Sequence, residues 1–436
     1  MSTNLPNELE LLLPDMNGVP RGKTIAGTEY SETNLPHLAE AIFFQTITGG
    51  YSDAFVSYDP NDGDLLMKAD WSTYRSTPWK PGDVGQVICE TQDKQGNPIP
   101  YDPRNVLKRV LSVYNDLELF PVIAPEVEFY LLEPLTLESR ALSPALGTNN
   151  MAEFGGEAFS PDALDKFAPI IQDIQRMCAD AQLSISGVVH EMGPAQIELN
   201  VGHGDPLDRA DQLFLLKRLV KACAVKHGLL ASFMAKPLSG LPGNGLHLHC
   251  SVLNKDGDNI FALKRKKAQP QLQQFIAGLQ IYLPQAFALI APNVNSYKRF
   301  VPDLSAPINL AWGYDNRTTG LRVPYSEPQA GRVENRVSGA DANPYLMIAA
   351  TLACGLLGLR SSLSPTKPVA GDAFELAADF PEDLADALRT LEKSKVLVSL
   401  LGESFVDVFA SVKRSELRDF NKAISPWEVG FLGSML

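Results

Sequence analysis

Four short stretches of the chain place polar, metal-competent residues at every second position, with apolar residues between them. They are Glu126 and Glu128; Gln196, Glu198 and Asn200; His247, His249 and Ser251; and Arg332, Glu334 and Arg336. In a β-strand, positions i and i+2 share a face, so each stretch predicts a strand with one apolar side and one chemically loaded side. Val127 and Phe129, Ile197 and Leu199, Leu246 and Leu248, and Val333 and Val337 supply the apolar side. Carboxylates, paired imidazoles and guanidinium groups lining one sheet face describe a site for divalent metal and phosphate.

The 436 residues, 45% of them hydrophobic, are enough for two or three structural domains and a core that needs no covalent staples. Cys89, Cys178, Cys223, Cys250 and Cys354 form no CxxC pair and sit among apolar neighbours, which predicts reduced core residues and a reducing, cytoplasmic compartment. A net charge of −13 argues against nonspecific nucleic-acid binding, which relies on clustered Lys and Arg to neutralise phosphates. The longest apolar run, Leu346 to Leu359, is too short to span a bilayer and predicts a buried helix, and no basic-then-apolar leader opens the sequence; no membrane association is expected.

Along the chain, residues up to about 101 predict short strands and turns, with a helix over Leu35 to Thr48. Asp102-Pro103-Arg104 opens an amphipathic helix, Asn105 to Leu117, and the expected domain boundary falls there, giving units 1–101 and 102–436. Further helices are expected over Pro161 to Leu183, from Asp205-Pro206 to His227, and over Pro381 to Phe420. Strands are expected over Ser184 to His190 and Ala231 to Met234. Neighbouring strands are joined by hairpins more than by crossover helices, so the fold class is α+β, with a mostly antiparallel sheet backed by helices on its apolar face.

Mg2+ and Mn2+ prefer oxygen ligands and tolerate an imidazole, and Glu126, Glu128, Glu191, Glu198, Glu334 and His247 offer enough donors for more than one ion. Carboxylates forced onto one face repel one another, and a multivalent cation or a facing arginine relieves this. Arg299, Arg317, Arg322, Arg332 and Arg336 cluster in one stretch, and a guanidinium grips phosphate or carboxylate through two parallel hydrogen bonds. No GxxxxGK[ST] loop, strand-linked GxGxxG fingerprint or GxSxG elbow occurs, so a bound nucleotide must be held by metals and arginines. On these residues alone, the reading is a two-metal phosphotransferase or phosphatase.

Taken in order, the motifs resemble the glutamine synthetase family over nearly the whole chain. Asp15-Met16-Asn17-Gly18-Val19-Pro20-Arg21-Gly22-Lys23 is similar to the family's opening; Glu126-Val127-Glu128-Phe129 and Glu191 through Glu198 resemble its ligand strands. Gly243 to His249, Asn295-Ser296-Tyr297-Lys298-Arg299, Asn316-Arg317 and Arg332 to Arg336 complete the series. The resemblance implies a small β-grasp-like N-terminal domain, a catalytic domain with a curved antiparallel sheet, and a homo-oligomer of two stacked hexameric rings with sites between subunits. It also implies two ions: Glu128, Glu191 and Glu198 around the one nearer glutamate, and Glu126, His247 and Glu334 around the one nearer ATP. Arg299 would bind the substrate carboxylate beside Gly243 and His247, and Arg317 and Arg336 would stabilise the transferring phosphoryl group. Arg322, Arg332, His249 and Ser251 would serve the nucleotide. The implied reaction activates the γ-carboxylate of L-glutamate with ATP to an acyl phosphate, which an amine then displaces.

The sequence departs from the family in the nucleophile pocket. Glutamine synthetases proper carry a flap glutamate six residues beyond the arginine of the Asn-Ser-Tyr-Lys-Arg motif; here that position is Ser305. The N-terminal Phe-Asp-Gly-Ser-Ser segment that supplies an ammonium-binding aspartate is absent, with Asp59, Asp62 and Asp64 in the corresponding region. Loss of a carboxylate that holds a small cation predicts a glutamate-amine ligase resembling the γ-glutamylpolyamine and γ-glutamyl-monoamine synthetases. Trp312 and Gly313 either shape the amine pocket or belong to the core. Two other readings are glutamine synthetase itself, with Asp303 replacing the flap glutamate, and a silent scaffold that keeps only the fold.

Overall fold

A computed structural model describes residues 5–135, 141–265, 267–302 and 305–436; Asp303 therefore lies outside the described residues. The described residues form two sheets. The first is six-stranded, in the order Pro20–Ala26, Glu8–Pro14, Val84–Gln92, Asp64–Ala69, His37–Ala39, with Arg75–Ser76 also pairing Val84–Gln92. Its one parallel pairing joins Glu8–Pro14 to Val84–Gln92.

The second sheet has eight strands and carries the loaded stretches. Its order is Trp312–Tyr314, Leu321–Val323, Val333–Asn335, Leu246–Asn254, Leu119–Leu132, Gln196–Val201, Ile185–His190, with Leu230–Ser232 also pairing Leu119–Leu132. All pairings are antiparallel except that between the first two strands. Val127, Phe129, Ile197, Leu199, Leu246, Leu248 and Val333 are all buried, so the apolar alternates do form the core side. Against them pack long helices that start with proline, a residue whose missing N–H costs nothing in a first turn. Asp102, Asp205 and Asn343 cap Pro103–Asp116, Pro206–Lys226 and Pro344–Arg360 by accepting from the N–H groups of the first turn. Pro344–Arg360 is buried along nearly its whole length, and no helix among the described residues is long and apolar enough to cross a membrane. It lies so close to Pro270–Tyr282 that a Cβ on Gly278 would sit 2.3 Å from the Cys354 carbonyl oxygen and 2.8 Å from Gly358 Cα. All five cysteines are buried and unpaired.

Two expectations are corrected. Leu35 to Thr48 is not a helix: His37–Ala39 pairs with Asp64–Ala69, and Glu40–Phe44 is a 3₁₀ turn. Adjacent Phe43 and Phe44 are both buried, Phe44 against Phe55, Tyr58 and Tyr101, a demand that one helix face cannot meet, and the β-branched Thr46-Ile47-Thr48 followed by two glycines offers no helical continuation. Pro161 to Leu183 is two helices, Pro161–Asp165 and Ala168–Asp180, because Pro169 has no N–H to continue the first.

A buried ion cluster ties the first sheet to the helices that back the second. Arg104, 2% exposed, donates to both carboxylate oxygens of Asp211 (2.9 and 2.8 Å) and to Asp70 (2.7 Å), while Tyr345 donates to Asp211 (2.7 Å). Removing one member of such a pair strands the other charge out of water. Arg104→Ala is therefore expected to lower unfolding stability by about 3–5 kcal/mol, read from the midpoint of denaturant unfolding.

Candidate active site

Cross-strand register brings the loaded residues together. Glu126 faces His247 on one neighbouring strand and Asn200 on the other; Glu128 faces Glu198; Glu334 faces both His249 and Arg322. Ligand atoms of Glu128, Glu191 and Glu198 lie within 4.8 Å of one another, as do those of Glu126, Glu198 and His247, and of Glu126, His249 and Glu334. His247 Nδ1 is 3.6 Å from Glu126 and 3.8 Å from Glu334, and His249 Nε2 is 3.1 Å from Glu126. Both imidazoles thus reach the carboxylates, although only His247 was expected among them from the motif.

The electrostatics divide this face in two. Burial pushes Glu198 up to about 9, with Glu126, Glu128 and Glu191 adding to the rise. Burial and the neighbouring Glu128 likewise push Glu191 up. Burial also opposes ionisation of Glu334, but the Arg336 guanidinium and the two imidazoles outweigh it and hold the carboxyl at about 2. Glu126 is held below the usual range in the same way, by His247 and His249 against burial. The Glu128, Glu191 and Glu198 group is only partly compensated, by Arg336 and Arg317 near Glu191 and by His247 Nε2 at 3.8 Å from Glu128, and keeps a surplus of oxygen donors of the kind a divalent cation satisfies. The residues present fit such an ion, and the Glu126, His247, His249 and Glu334 group fits a second.

A guanidinium wall stands beside the carboxylates. Arg336 donates to Glu334 (2.7 Å), and Arg322 bridges Glu334 (3.0 Å) and Asp315 (2.6 Å). Arg317 is exposed, and its charge acts on Glu191 together with that of Arg336. Arg299 is 3% exposed; it donates to the carbonyl oxygens of Val337 (2.7 Å) and Arg336 (3.4 Å), leaves Nε without a partner, and forms no ion pair with a described residue. Burial lowers its pKa to about 10. Gly243 and Gly245 make room for it, since a Cβ on Gly243 would meet Arg299 Cγ at 2.8 Å and one on Gly245 would meet Arg299 Nη2 at 2.9 Å and His247 Nε2 at 2.7 Å.

Supporting contacts hold the ligands in place. Glu128 accepts from the Gly245 N–H (2.7 Å) and from Gln196 (3.3 Å), and Asn200 donates to Glu198 (2.8 Å). Gln196 also accepts from the Gly193 N–H (2.9 Å), which fastens the turn bearing Glu191. His190 and Glu153 brace that turn from beneath: His190 Nε2 lies 3.0 Å from Glu153, Glu153 accepts from the Ala195 N–H (2.7 Å), and His190 Nδ1 contacts the Glu191 carbonyl (2.8 Å). Glu153 carries no periodic signal in the sequence; the only hint is that His190 precedes Glu191.

At the other end a cavity of about 720 Å³ is lined by Glu126, His249, Ser251 and Arg332, among others, a size suited to a nucleotide-sized ligand. Arg332 Nε donates to His249 Nδ1 (3.3 Å). Ser305 sits on the side of the Glu191 turn, its hydroxyl donating to Met192 Sδ (2.7 Å). Trp312 does not join the group. It is 3% exposed, packs edge-on against Tyr314, and gives its one polar hydrogen to the Thr366 carbonyl (2.7 Å), so it belongs to the core and not to a substrate pocket.

The family model for the glutamine synthetase catalytic domain matches residues 100–432. Gamma-glutamylputrescine synthetase PuuA of Escherichia coli (strain K12) is 34% identical, over 97% of this chain and 91% of its own. Glutamine synthetase of Pyrococcus abyssi is also 34% identical, over 98% and 97% of the two chains, and glutamate–isopropylamine ligase of a Pseudomonas species is 31% identical, over 95% and 92%. Among solved structures, GmaS without ligand and a GmaS/ADP complex each superpose with a TM-score of 0.85 at 30% identity, covering 98% of this chain and 97% and 96% of theirs. With that match across the sheet and helices just described, the chain belongs to the glutamine synthetase family of ligases.

Proposed function

We propose that the protein is an ATP-dependent ligase that joins the γ-carboxylate of L-glutamate to a primary amine through a γ-glutamyl phosphate, releasing ADP and phosphate. The observation that supports this reading is a buried Arg299, ion-paired to no described carboxylate, packed against Gly245, whose N–H donates to Glu128 of the carboxylate cluster. One end of the site seeks an anion and the other seeks cations. Arg299 takes the substrate carboxylate, and Arg336 and Arg317 face the region where phosphoryl charge develops. His249, Ser251, Arg322 and Arg332 serve the nucleotide, and the residues lining the 720 Å³ cavity leave room for it.

Glu128, Glu191 and Glu198 would hold one Mg2+ or Mn2+, and Glu126, His247 and Glu334 the other; His247 Nδ1 lies 3.6 and 3.8 Å from those two carboxylates, and His249 is the imidazole grouped with both, all three ligand atoms lying within 4.8 Å of one another. Such ions supply charge neutralisation on phosphate oxygens. A γ-carboxylate oxygen attacks the γ-phosphorus and the bond to the β-phosphate oxygen breaks. A neutral amine then attacks the acyl carbon, the C–N bond forms, phosphate leaves with the former carboxylate oxygen, and the proton shed by the nitrogen goes to the departing phosphate. The uncharged Ser305, where a flap glutamate would otherwise stand, favours a substituted amine over ammonium.

Residues 1–101 are proposed to act as a domain that completes a neighbouring subunit's site in a cytoplasmic homo-dodecamer of two stacked rings. In support, the contacts of Asp59, Asp62 and Asp64 among the described residues are local, with Asp59 accepting from Gly63 and Asp64 lying 3.9 Å from His37, and do not include the loaded face of their own chain. The test is phosphate release with ATP and glutamate against ammonium and a panel of primary amines. Amine-dependent turnover is expected; efficient turnover with ammonium and none with amines would make the protein a glutamine synthetase proper, and no turnover at all would leave a silent scaffold.

A further inference from the structure

Arg299 ends a 3₁₀ turn, Ser296–Arg299, and the segment from Arg336 to Asp341 holds that turn at both ends. At the head, the guanidinium donates to the carbonyls of Arg336 and Val337. At the base, Ser296, 1% exposed, donates its hydroxyl hydrogen to Asp341 Oδ2 (2.6 Å), and the Asn293 side-chain amide donates to the same oxygen (2.8 Å). Ser296 Oγ in turn accepts from the Asn293 N–H (2.9 Å), so the residues that open the turn are locked to one carboxylate. Lys217 fixes the backbone around that carboxylate by donating to the carbonyls of Ala340 (2.6 Å) and Ala342 (3.1 Å). Asn293 is itself held, its side-chain oxygen accepting from Lys413 (3.3 Å), a fully buried lysine that also pairs with Glu416 (2.9 Å). Glu416 accepts from the Ile47 N–H (2.7 Å) and from Asn17 (2.8 Å), which ties the arrangement to the N-terminal residues.

Asp341 Oδ1, by contrast, is buried with no hydrogen-bond partner among the described residues. Two neutral donors need only a neutral acceptor, so a full negative charge with one oxygen unpartnered costs desolvation that the turn alone does not require. The charge does reach the turn's last residue: burial lowers the Arg299 pKa, and the carboxylates of Glu128 and Asp341 oppose it. Resting on the ligase reading above, we propose that Asp341 is a positioning residue for glutamate capture: through Ser296 and Asn293 it fixes the direction of Arg299, and its charge keeps that guanidinium ready for a carboxylate.

The test measures KM for glutamate and for ATP in the full-length protein, with thermal stabilisation by each ligand as a second readout. Asp341→Asn keeps the shape and one acceptor but removes the charge, and should raise KM for glutamate about tenfold while KM for ATP changes by less than about twofold. Asn293→Ala, which leaves the charge in place, should raise KM for glutamate about threefold, and it supplies the same comparison if Asp341→Asn does not fold. In an Arg299→Lys background, Asp341→Asn should add little further loss of kcat/KM for glutamate, because it acts through that guanidinium. Equal rises in the two KM values, or a lower melting temperature with KM for glutamate unchanged, would make Asp341 a structural residue only and overturn the proposal. An undiminished loss in the Arg299→Lys background overturns it as well. If the parent protein turns over neither amine nor ammonium, the ligase reading fails, and stabilisation by glutamate then decides the positioning role. That role stands if Asp341→Asn weakens the stabilisation, and falls if the variant keeps it or the parent protein shows none.

Discussion

Arg299→Lys is expected to lower kcat/KM for glutamate by a factor of about 10² to 10³, because removing one partner of a buried hydrogen-bonded charge pair costs about 2–5 kcal/mol. The expectation follows from how little else satisfies this guanidinium. Two of its nitrogens rest on the carbonyls of Val337 and Arg336, its Nε has no partner, and burial already lowers its pKa to about 10. A carboxylate entering beside Gly243 and Gly245 would restore the missing counter-charge. Lysine cannot keep both carbonyls and a bidentate grip on a carboxylate, since its donors radiate from one point. KM for glutamate should carry most of the effect and KM for ATP should change little, the nucleotide cavity being lined by other residues. Thermal stabilisation by added glutamate should disappear in the variant. An equal rise in the two KM values, or retained stabilisation by glutamate, would show that Arg299 is a structural cation and not the substrate's anchor.

The loaded face is legible in sequence because strand geometry has a period of two and the apolar alternates leave one register open. Which strands become neighbours is not legible. The pairing of Leu119–Leu132 with both Gln196–Val201 and Leu246–Asn254 joins segments far apart in the chain, and this pairing sets Glu128 opposite Glu198 and Glu126 opposite His247. For the same reason, alternation puts His247 and His249 on one face, whereas cross-strand position decides that His249 stands opposite Glu334. Trp312 shows the limit from another side. Its sequence neighbours suit a pocket or a core equally, and only the distant Thr366 carbonyl, which accepts its N–H, makes it a core residue. The Leu35 to Thr48 stretch misleads because its apolar spacing is helical while adjacent phenylalanines must both be buried. Glu153 escapes notice altogether, since its role depends on His190 and Ala195, both far along the chain.

Glu198→Gln is expected to separate stability from function in opposite directions. Glu198 stands in register with Glu128, shares its surroundings with Glu191 and Glu126, and is pushed by burial and these neighbours up to about 9. A carboxyl whose pKa rises on folding gives stability that is fully present below its unfolded value of 4.5 and is lost as pH climbs through about 9. At pH 8 to 9 the metal-free native protein therefore carries a penalty that glutamine removes, while the glutamine oxygen still accepts from Asn200. In chelator, the variant should melt at least as high as the parent protein, by up to a few degrees more, at roughly 2–4 °C per kcal/mol for a large domain. Saturating Mg2+ or Mn2+ should reverse the order. An ion present at a hundredfold over its Kd adds about 2.7 kcal/mol to the parent protein, and the variant, with one anionic ligand fewer, should lose most of that shift along with about 10² or more of its ligase activity. A variant that melts lower in chelator would show that crowding of these carboxylates is not the cost the geometry suggests, and one that keeps the full metal shift would remove Glu198 from the ion's ligands. The two readouts are independent, because the first is measured without metal and rests on burial of the carboxylate and on repulsion by its neighbours, whereas the second requires an ion bound between Glu128, Glu191 and Glu198.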